Sequence, residues 1–148
     1  DQTKLIDNLS EKVAPVFGDV STTNGAFDIE GHDVMVFLHI QKTGGTTFGK
    51  HLVNDLVLKS PCICHRVPKR CHCYRPNSKE SWLFSRYSTG WKCGLHADWT
   101  ELHECVSDFY AAQYKSDNSD RQFFYVTIVR DPIKRFLSEY LHVKRGAT

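Results

Sequence analysis

Residues 34–48 read Val-Met-Val-Phe-Leu-His-Ile-Gln-Lys-Thr-Gly-Gly-Thr-Thr-Phe. The first seven form a continuous, mainly apolar run, with His39 its one polar member, rather than an alternating one, and it is rich in β-branched and aromatic residues. That pattern predicts a strand buried on both faces. Gln41 to Thr47 break the run. Phe48, Leu52, Val53, Leu56 and Val57 then recur at helical spacing, and Lys59-Ser60-Pro61 should end that helix.

Working outward, the same grammar returns near the C-terminal end. Phe123-Phe124-Tyr125-Val126-Thr127-Ile128-Val129 predicts a second buried strand. Arg130 follows, then Asp131 as N-cap and Pro132 at the first helical position. Ile133, Phe136, Leu137, Tyr140 and Leu141 give a helical stripe. Between the two, Trp91-Lys92-Cys93-Gly94-Leu95 reads as a short strand. Asp98 with Glu101 resembles a capping box, and Leu102, Cys105, Val106, Phe109 and Gln113 mark one helix face. Strand, loop and helix recur three times, which predicts an α/β fold with a largely parallel sheet. Ligands of such sheets bind off the carboxyl ends of the strands. Lys42 to Thr47, His96 and Arg130 fall there, and they are the residue types that chemistry wants.

The chain has 148 residues, 41% hydrophobic and 24% charged, which fits one domain with a real core. The net charge of +2 is far from the excess of a nucleic-acid binder. No apolar run approaches the ~20 residues of a membrane span, so no membrane contact is expected from these residues. Residues 1–31 are polar and read as an arm, with Asn24-Gly25 as a turn. Residues 32–148 read as the folded domain. It carries a basic insertion at 59–79, where Lys59, Arg66, Lys69, Arg70, Arg75 and Lys79 occur with no acidic residue from Leu56 to Lys79.

Six cysteines stand at Cys62, Cys64, Cys71, Cys73, Cys93 and Cys105. Disulfides in an oxidising compartment compete with zinc held by Cys and His65 or His72. The Cys-x-Cys spacing fits zinc poorly. Sequence does not choose among the pairings. Asn8-Leu9-Ser10 is a glycosylation sequon, in keeping with a secretory route.

Two motifs carry anion chemistry. In Lys42-Thr43-Gly44-Gly45-Thr46-Thr47, adjacent glycines allow close backbone approach, and amides at a helix N-terminus point at an anion. Lys42 adds a charge and the threonines add hydroxyls. The order is not that of a Walker A loop. In the second motif, Arg130 sits between a strand end and a helix N-terminus, placed for bidentate phosphate binding. Ser138 lies further along that helix.

On these residues the sequence resembles a known family. His39 to Phe48 looks like the 5′-phosphosulfate loop of the Golgi carbohydrate sulfotransferases, and Val129-Arg130-Asp131-Pro132 through Ser138 looks like their 3′-phosphate motif. The Cys-x-Cys loop, Gly94-Leu95-His96-Ala97-Asp98-Trp99 and Leu137-Ser138-Glu139-Tyr140 are similar to heparan sulfate 6-O-sulfotransferases. The match runs from about residue 30 to the end and resembles the N-terminal half of the catalytic domain, so adenine contacts are expected elsewhere.

The resemblance implies a P-loop-like three-layer fold and a Golgi-lumenal setting, with a family membrane anchor outside these residues. It implies 3′-phosphoadenosine 5′-phosphosulfate as donor, adenosine 3′,5′-bisphosphate as product, and the 6-hydroxyl of glucosamine in heparan sulfate as acceptor. Lys42, Thr43, Gly44, Gly45, Thr46, Thr47, Arg130 and Ser138 would then hold the donor. His96 would be the general base, since an imidazole suits proton abstraction near neutral pH. Lys42 would offset charge on the leaving oxygen, without a metal. Trp91, Lys69 and Arg70 would meet the acceptor. His39 reads as structural. Two other readings stay open: a nucleotide-dependent kinase, which would want a Mg²⁺-binding carboxylate near the loop, and a secreted, cysteine-stapled glycan-binding module.

Overall fold

A computed structural model describes residues 27–67, 69–115 and 118–146. The sequon at Asn8, the Asn24-Gly25 turn and most of the arm lie outside the described residues.

Three parallel strands form the central sheet. They are β1 (Val34–Leu38), β4 (Leu83–Phe84) and β5 (Phe123–Thr127), in the order β4-β1-β5. Val34 pairs with Phe123 and Leu38 with Thr127, while Met35 pairs with Leu83. A two-stranded antiparallel hairpin, β2 (Ile63–His65) with β3 (Arg70–His72), stands apart from the sheet. The helices are α1 (Gly45–Asn54), α2 (Trp99–Tyr114) and α3 (Pro132–Lys144).

Being the middle strand explains the continuous apolar run of β1. Val34 and Val36 pack with Phe84 against Leu102, Val106 and Tyr110 of α2. Met35 belongs to the other layer, with Leu52 and Val53 of α1, Trp82, Leu83 and Tyr87. Phe27 and Ile29 extend that second layer, and Phe27 meets Phe124 edge-to-face at 5.5 Å. Each face of β1 thus has its own helix, so neither face tolerates a polar residue.

Two helix starts follow the sequence closely. The Asp98 side chain accepts from the amides of Thr100 and Glu101, and Glu101 returns a bond to the Asp98 amide. Asp131 accepts from the Lys134 amide at 2.9 Å, with Pro132 in the first turn.

Other elements differ from expectation. Trp91–Leu95 is not a strand. Gly90 and Gly94 have φ of 76° and 115°, and the segment turns. The third parallel strand is instead the two-residue β4. The 59–79 insertion is not merely a loop. Cys62–Cys73 and Cys64–Cys71 staple it as the β2–β3 hairpin, and Cys93–Cys105 ties the 85–98 segment to α2. All six thiols are therefore bonded to each other, which closes the cysteine–zinc reading. On α3 the apolar stripe is present but Ile133, Phe136, Leu137, Tyr140 and Leu141 are exposed.

A buried ion triad fastens the arm side of the fold. Glu80 lies between Arg75 and Arg121, at 3.3 and 3.1 Å. The side chains are only 3% (Arg75), 6% (Arg121) and 13% (Glu80) exposed. Arg75 also donates to the Ile29 carbonyl at 3.0 Å. Burial alone would raise the Glu80 carboxyl, but the Arg121 hydrogen bond and charge, then Arg75, hold it below its ordinary 4.5. Its contribution is thus complete above that pH and is lost as pH falls through the depressed value. Glu80→Ala leaves two buried guanidinium groups without their shared carboxylate. It should destabilise the protein by about 3–5 kcal/mol in urea unfolding, with that difference narrowing at acid pH. A variant as stable as the parent at pH 7 would show that the triad contributes no net stability.

Candidate active site

At the carboxyl ends of the three parallel strands lies a cleft of about 680 Å³. Its lining includes Lys42, Gly44, Gly45 and Thr46 after β1, Arg86, Trp91 and His96 after β4, and Arg130 and Ser138 after β5. Residues 88 positions apart in sequence meet here because the parallel register sets all three strand ends side by side. None of the lining residues is Asp or Glu. The cleft is a cationic recess next to the N-terminus of α1.

The paired glycines have separate jobs. Gly44 is the N-cap of α1 with φ of 94°, a left-handed conformation that side chains resist. Gly45 is buried, and a Cβ there would lie 2.3 Å from Cδ2 of His39. The second glycine makes room for an imidazole, and so lets the loop close over the end of β1. The Thr43 hydroxyl donates to the Ile40 carbonyl at 2.9 Å, tightening the same turn. Lys42 adopts φ of 63°. Its carbonyl accepts a 3.0 Å bond from Nη1 of Arg130. The end of β5 is thereby latched to the loop after β1. The Thr47 and Phe48 amides donate to the Gly44 carbonyl at 3.0 and 3.1 Å, so the amides of Gly45 and Thr46 at the start of α1 are the ones placed for an anion.

His96 is not at a strand end. It lies in the turn between β4 and α2, two residues before the N-cap Asp98. Cys93–Cys105 on one side and buried Ala97 on the other hold it there. Its ring is exposed towards the cleft, and Nδ1 is 3.5 Å from the His39 carbonyl. A proton on Nδ1 directed at that carbonyl leaves Nε2 as an acceptor. Trp91 stacks on His39 at 5.8 Å and 10°, and meets His96 at 5.5 Å. The Arg86 guanidinium lies 5.2 Å from the Trp91 ring centroid and 3.5 Å from the Thr46 hydroxyl.

His39 belongs to the cleft as well as to the packing around it. Burial, then the charges of His96 and Arg86, push its imidazole below 6.5, so it is neutral at pH 7. Thr47 is exposed on the first turn of α1 and does not line the cleft. Lys69 and Arg70 line a separate cavity on the hairpin.

Sequence reasoning passed over Arg86, Gln41 and His142, all of which line the cleft. Arg86 follows β4 directly, so the strand-end rule finds it once β4 is located. Its two residues gave no periodic signal.

The sequence profile described as "Sulfotransferase family" matches residues 25–147. This chain belongs to the sulfotransferase family. It is 60% identical over 124 residues to heparan-sulfate 6-O-sulfotransferase 1 of Gallus gallus, covering 83% of this chain and 30% of that protein. It is 58% identical over 123 residues to heparan-sulfate 6-O-sulfotransferase 1 of Homo sapiens, covering 82% and 30%. Over 125 residues it is 58% identical to heparan-sulfate 6-O-sulfotransferase 2 of Danio rerio, covering 82% and 27%. The chain thus spans about 30% of the length of these curated relatives. Among the described residues, no helix is long and apolar enough to cross a membrane. Nor do three or more His, Cys, Asp or Glu groups converge there as a metal site.

Proposed function

We propose that this chain carries the donor-binding and proton-abstracting part of a heparan sulfate 6-O-sulfotransferase using 3′-phosphoadenosine 5′-phosphosulfate. The observation that carries the reading is the convergence, in one acid-free cleft, of a helix N-terminus, Lys42, Arg86, Arg130 and an accessible imidazole. Three permanent positive charges with no carboxylate suit a donor bearing several phosphate and sulfate charges. The names of the relatives supply the acceptor class.

In this reading the α1 amides and Thr46 hold the 5′-phosphosulfate, while Arg130 and Ser138 hold the 3′-phosphate and fix orientation. His96 Nε2 takes the proton of the 6-hydroxyl as its oxygen bonds to sulfur. The bond from sulfur to the bridging phosphate oxygen breaks in line. Its electron pair stays on that oxygen, where Lys42 offsets the growing charge. The products are a sulfate ester and adenosine 3′,5′-bisphosphate. The oxidising compartment needed by three disulfides agrees with action in the Golgi lumen.

A kinase of the same layout would place a carboxylate at the phosphate loop to hold Mg²⁺. The lining residues offer none. A glycan-binding module without catalysis leaves the Arg130–Lys42 latch and the Gly45–His39 fit without purpose.

The test is transfer from radiolabelled donor to heparan sulfate stripped of 6-O-sulfate, by the full-length protein. Label on the 6-position of glucosamine, found after digestion to disaccharides, is expected. Label at another position would overturn the regiochemistry, and absence of donor binding in calorimetry would overturn the enzyme.

A further inference from the structure

The six positive charges of the 59–79 insertion do not act as one patch, and the fold sorts them. Arg75 is buried in the Glu80 triad. Lys59 pairs with Glu30 at 2.6 Å. Lys79 lines other recesses. Arg66, Lys69 and Arg70 converge, and Lys50 of α1 joins them around a cavity of about 350 Å³. No Asp or Glu lines it. Sequence reasoning did not single out Lys50, because it lies outside the basic insertion. Only the folding of the hairpin onto α1 brings it in.

This cavity is built rather than incidental. Two disulfides fix the hairpin that forms one wall, with Cys64 and Cys71 directly opposed in register. Arg70 is held by a 2.9 Å bond from Nε to the Ser88 carbonyl, which leaves its terminal nitrogens for a ligand. Tyr87 lines the cavity, and its hydroxyl donates to the Thr46 carbonyl at 3.3 Å. Thr46 lines the donor cleft while Lys50, four residues on, lines the basic cavity. Thr46 and Lys50 lie about one turn apart on α1, so the two recesses are bounded by the same helix and stay separate. Four converging cations of one sign, held near but outside the reaction cleft, fit a linear polyanion that extends past the reacting residue.

We infer that the Lys50–Arg66–Lys69–Arg70 cavity is an exosite for sulfate groups on the acceptor polysaccharide, away from the sugar being modified. The inference rests on the glycan reading above and adds a second contact point to it. It makes chain length matter. A long sulfated chain reaches both recesses, whereas a short acceptor reaches the cleft alone.

The experiment compares the full-length parent with Lys50→Gln/Arg66→Gln, and with Lys115→Gln/Lys144→Gln, which removes two exposed lysines at the ends of α2 and α3. Heparin binding is measured across a salt series. Sulfation is measured on a long heparan chain and on a trisaccharide. The exosite predicts that Lys50→Gln/Arg66→Gln weakens heparin about tenfold and flattens the salt dependence, as loss of ion contacts to a polyanion does. KM for the long chain rises by a similar factor. Activity on the trisaccharide and affinity for adenosine 3′,5′-bisphosphate do not change. The control pair should move none of these. Equal losses in the two double variants, or equal losses on long and short acceptors, would overturn the exosite while leaving the catalytic reading intact. If the parent transfers no sulfate but Lys50→Gln/Arg66→Gln still loses heparin selectively, the catalytic reading falls and the exosite stands. A parent that does not bind heparin removes the exosite outright.

Discussion

His96→Ala should abolish nearly all turnover while leaving donor affinity almost untouched. Loss of a positioned base costs about 10²- to 10⁴-fold in rate, or roughly 3–5 kcal/mol of barrier. The phosphate contacts are expected from the loop after β1 and the residues after β5, so binding of adenosine 3′,5′-bisphosphate should persist. The cleft also holds His39 and His142, and His39, packed beside His96, sharpens the test. The ring of His39 is wedged against Gly45 and stacked on Trp91. It supports the loop, whereas His96 is exposed to the cleft. His39→Asn should therefore lower stability and donor affinity together, and His96→Ala neither. Acid pH needs a separate control. Because the imidazole of His39 is held below 6.5, its stabilising contribution is complete above that value and is lost as pH falls through the lower one. Thermal melts at each pH separate this loss from a loss of base catalysis. A folded His96→Ala protein with more than about a tenth of parental kcat, under ~1.4 kcal/mol of barrier, would remove His96 from the base role.

How much of this was legible follows from what each segment buries. β1 was readable because the central strand of a parallel sheet has no solvent face, so a run of apolar residues leaves few alternatives. β5, at the sheet edge and only half-buried, was readable from its aromatic and β-branched content. The starts of α2 and α3 were readable because Asp98, Glu101, Asp131 and Pro132 act locally. β4 was not readable. It has only Leu83 and Phe84 between Trp82 and the buried Ser85, and its place is set by pairing with Met35 and Val36. That one omission moved the expected middle strand to Trp91–Leu95, set His96 at a false strand end and hid Arg86. The β2–β3 hairpin also gave no pattern, since Ile63, Cys64 and His65 are all exposed and disulfides do the work of a core. The Gly-Gly pair was readable as a tight turn, but the need of Gly45 to clear His39 is a contact between side chain and backbone that spacing does not encode.

Lys42 and Arg130 should prove coupled rather than independent. In the proposed mechanism, Lys42→Ala taken alone removes charge stabilisation that grows only in the transition state, so kcat should fall. Loss of one such group costs about 10²- to 10³-fold. In the same mechanism Arg130→Ala removes a contact to the donor in ground and transition states alike, so the donor KM should rise. The structure adds a term. Nη1 of Arg130 donates to the carbonyl of Lys42, whose backbone sits at φ of 63°. A lysine held in the left-handed region needs its surroundings to keep it there. Without the Arg130 latch the loop has an easier route to relax, and the Lys42 ammonium leaves the position where charge develops. Arg130→Ala should thus lower kcat as well as raise KM. The double variant should lose less than the product of the two single losses, because part of each loss is the same displacement. Arg130→Lys separates the two roles, since a lysine supplies charge to the phosphate but not the guanidinium fork that also reaches a carbonyl. It should recover KM more than kcat. Strict multiplicativity in the cycle, with kcat unchanged in Arg130→Ala, would show that the latch carries no catalytic weight and that the two residues act on the donor separately.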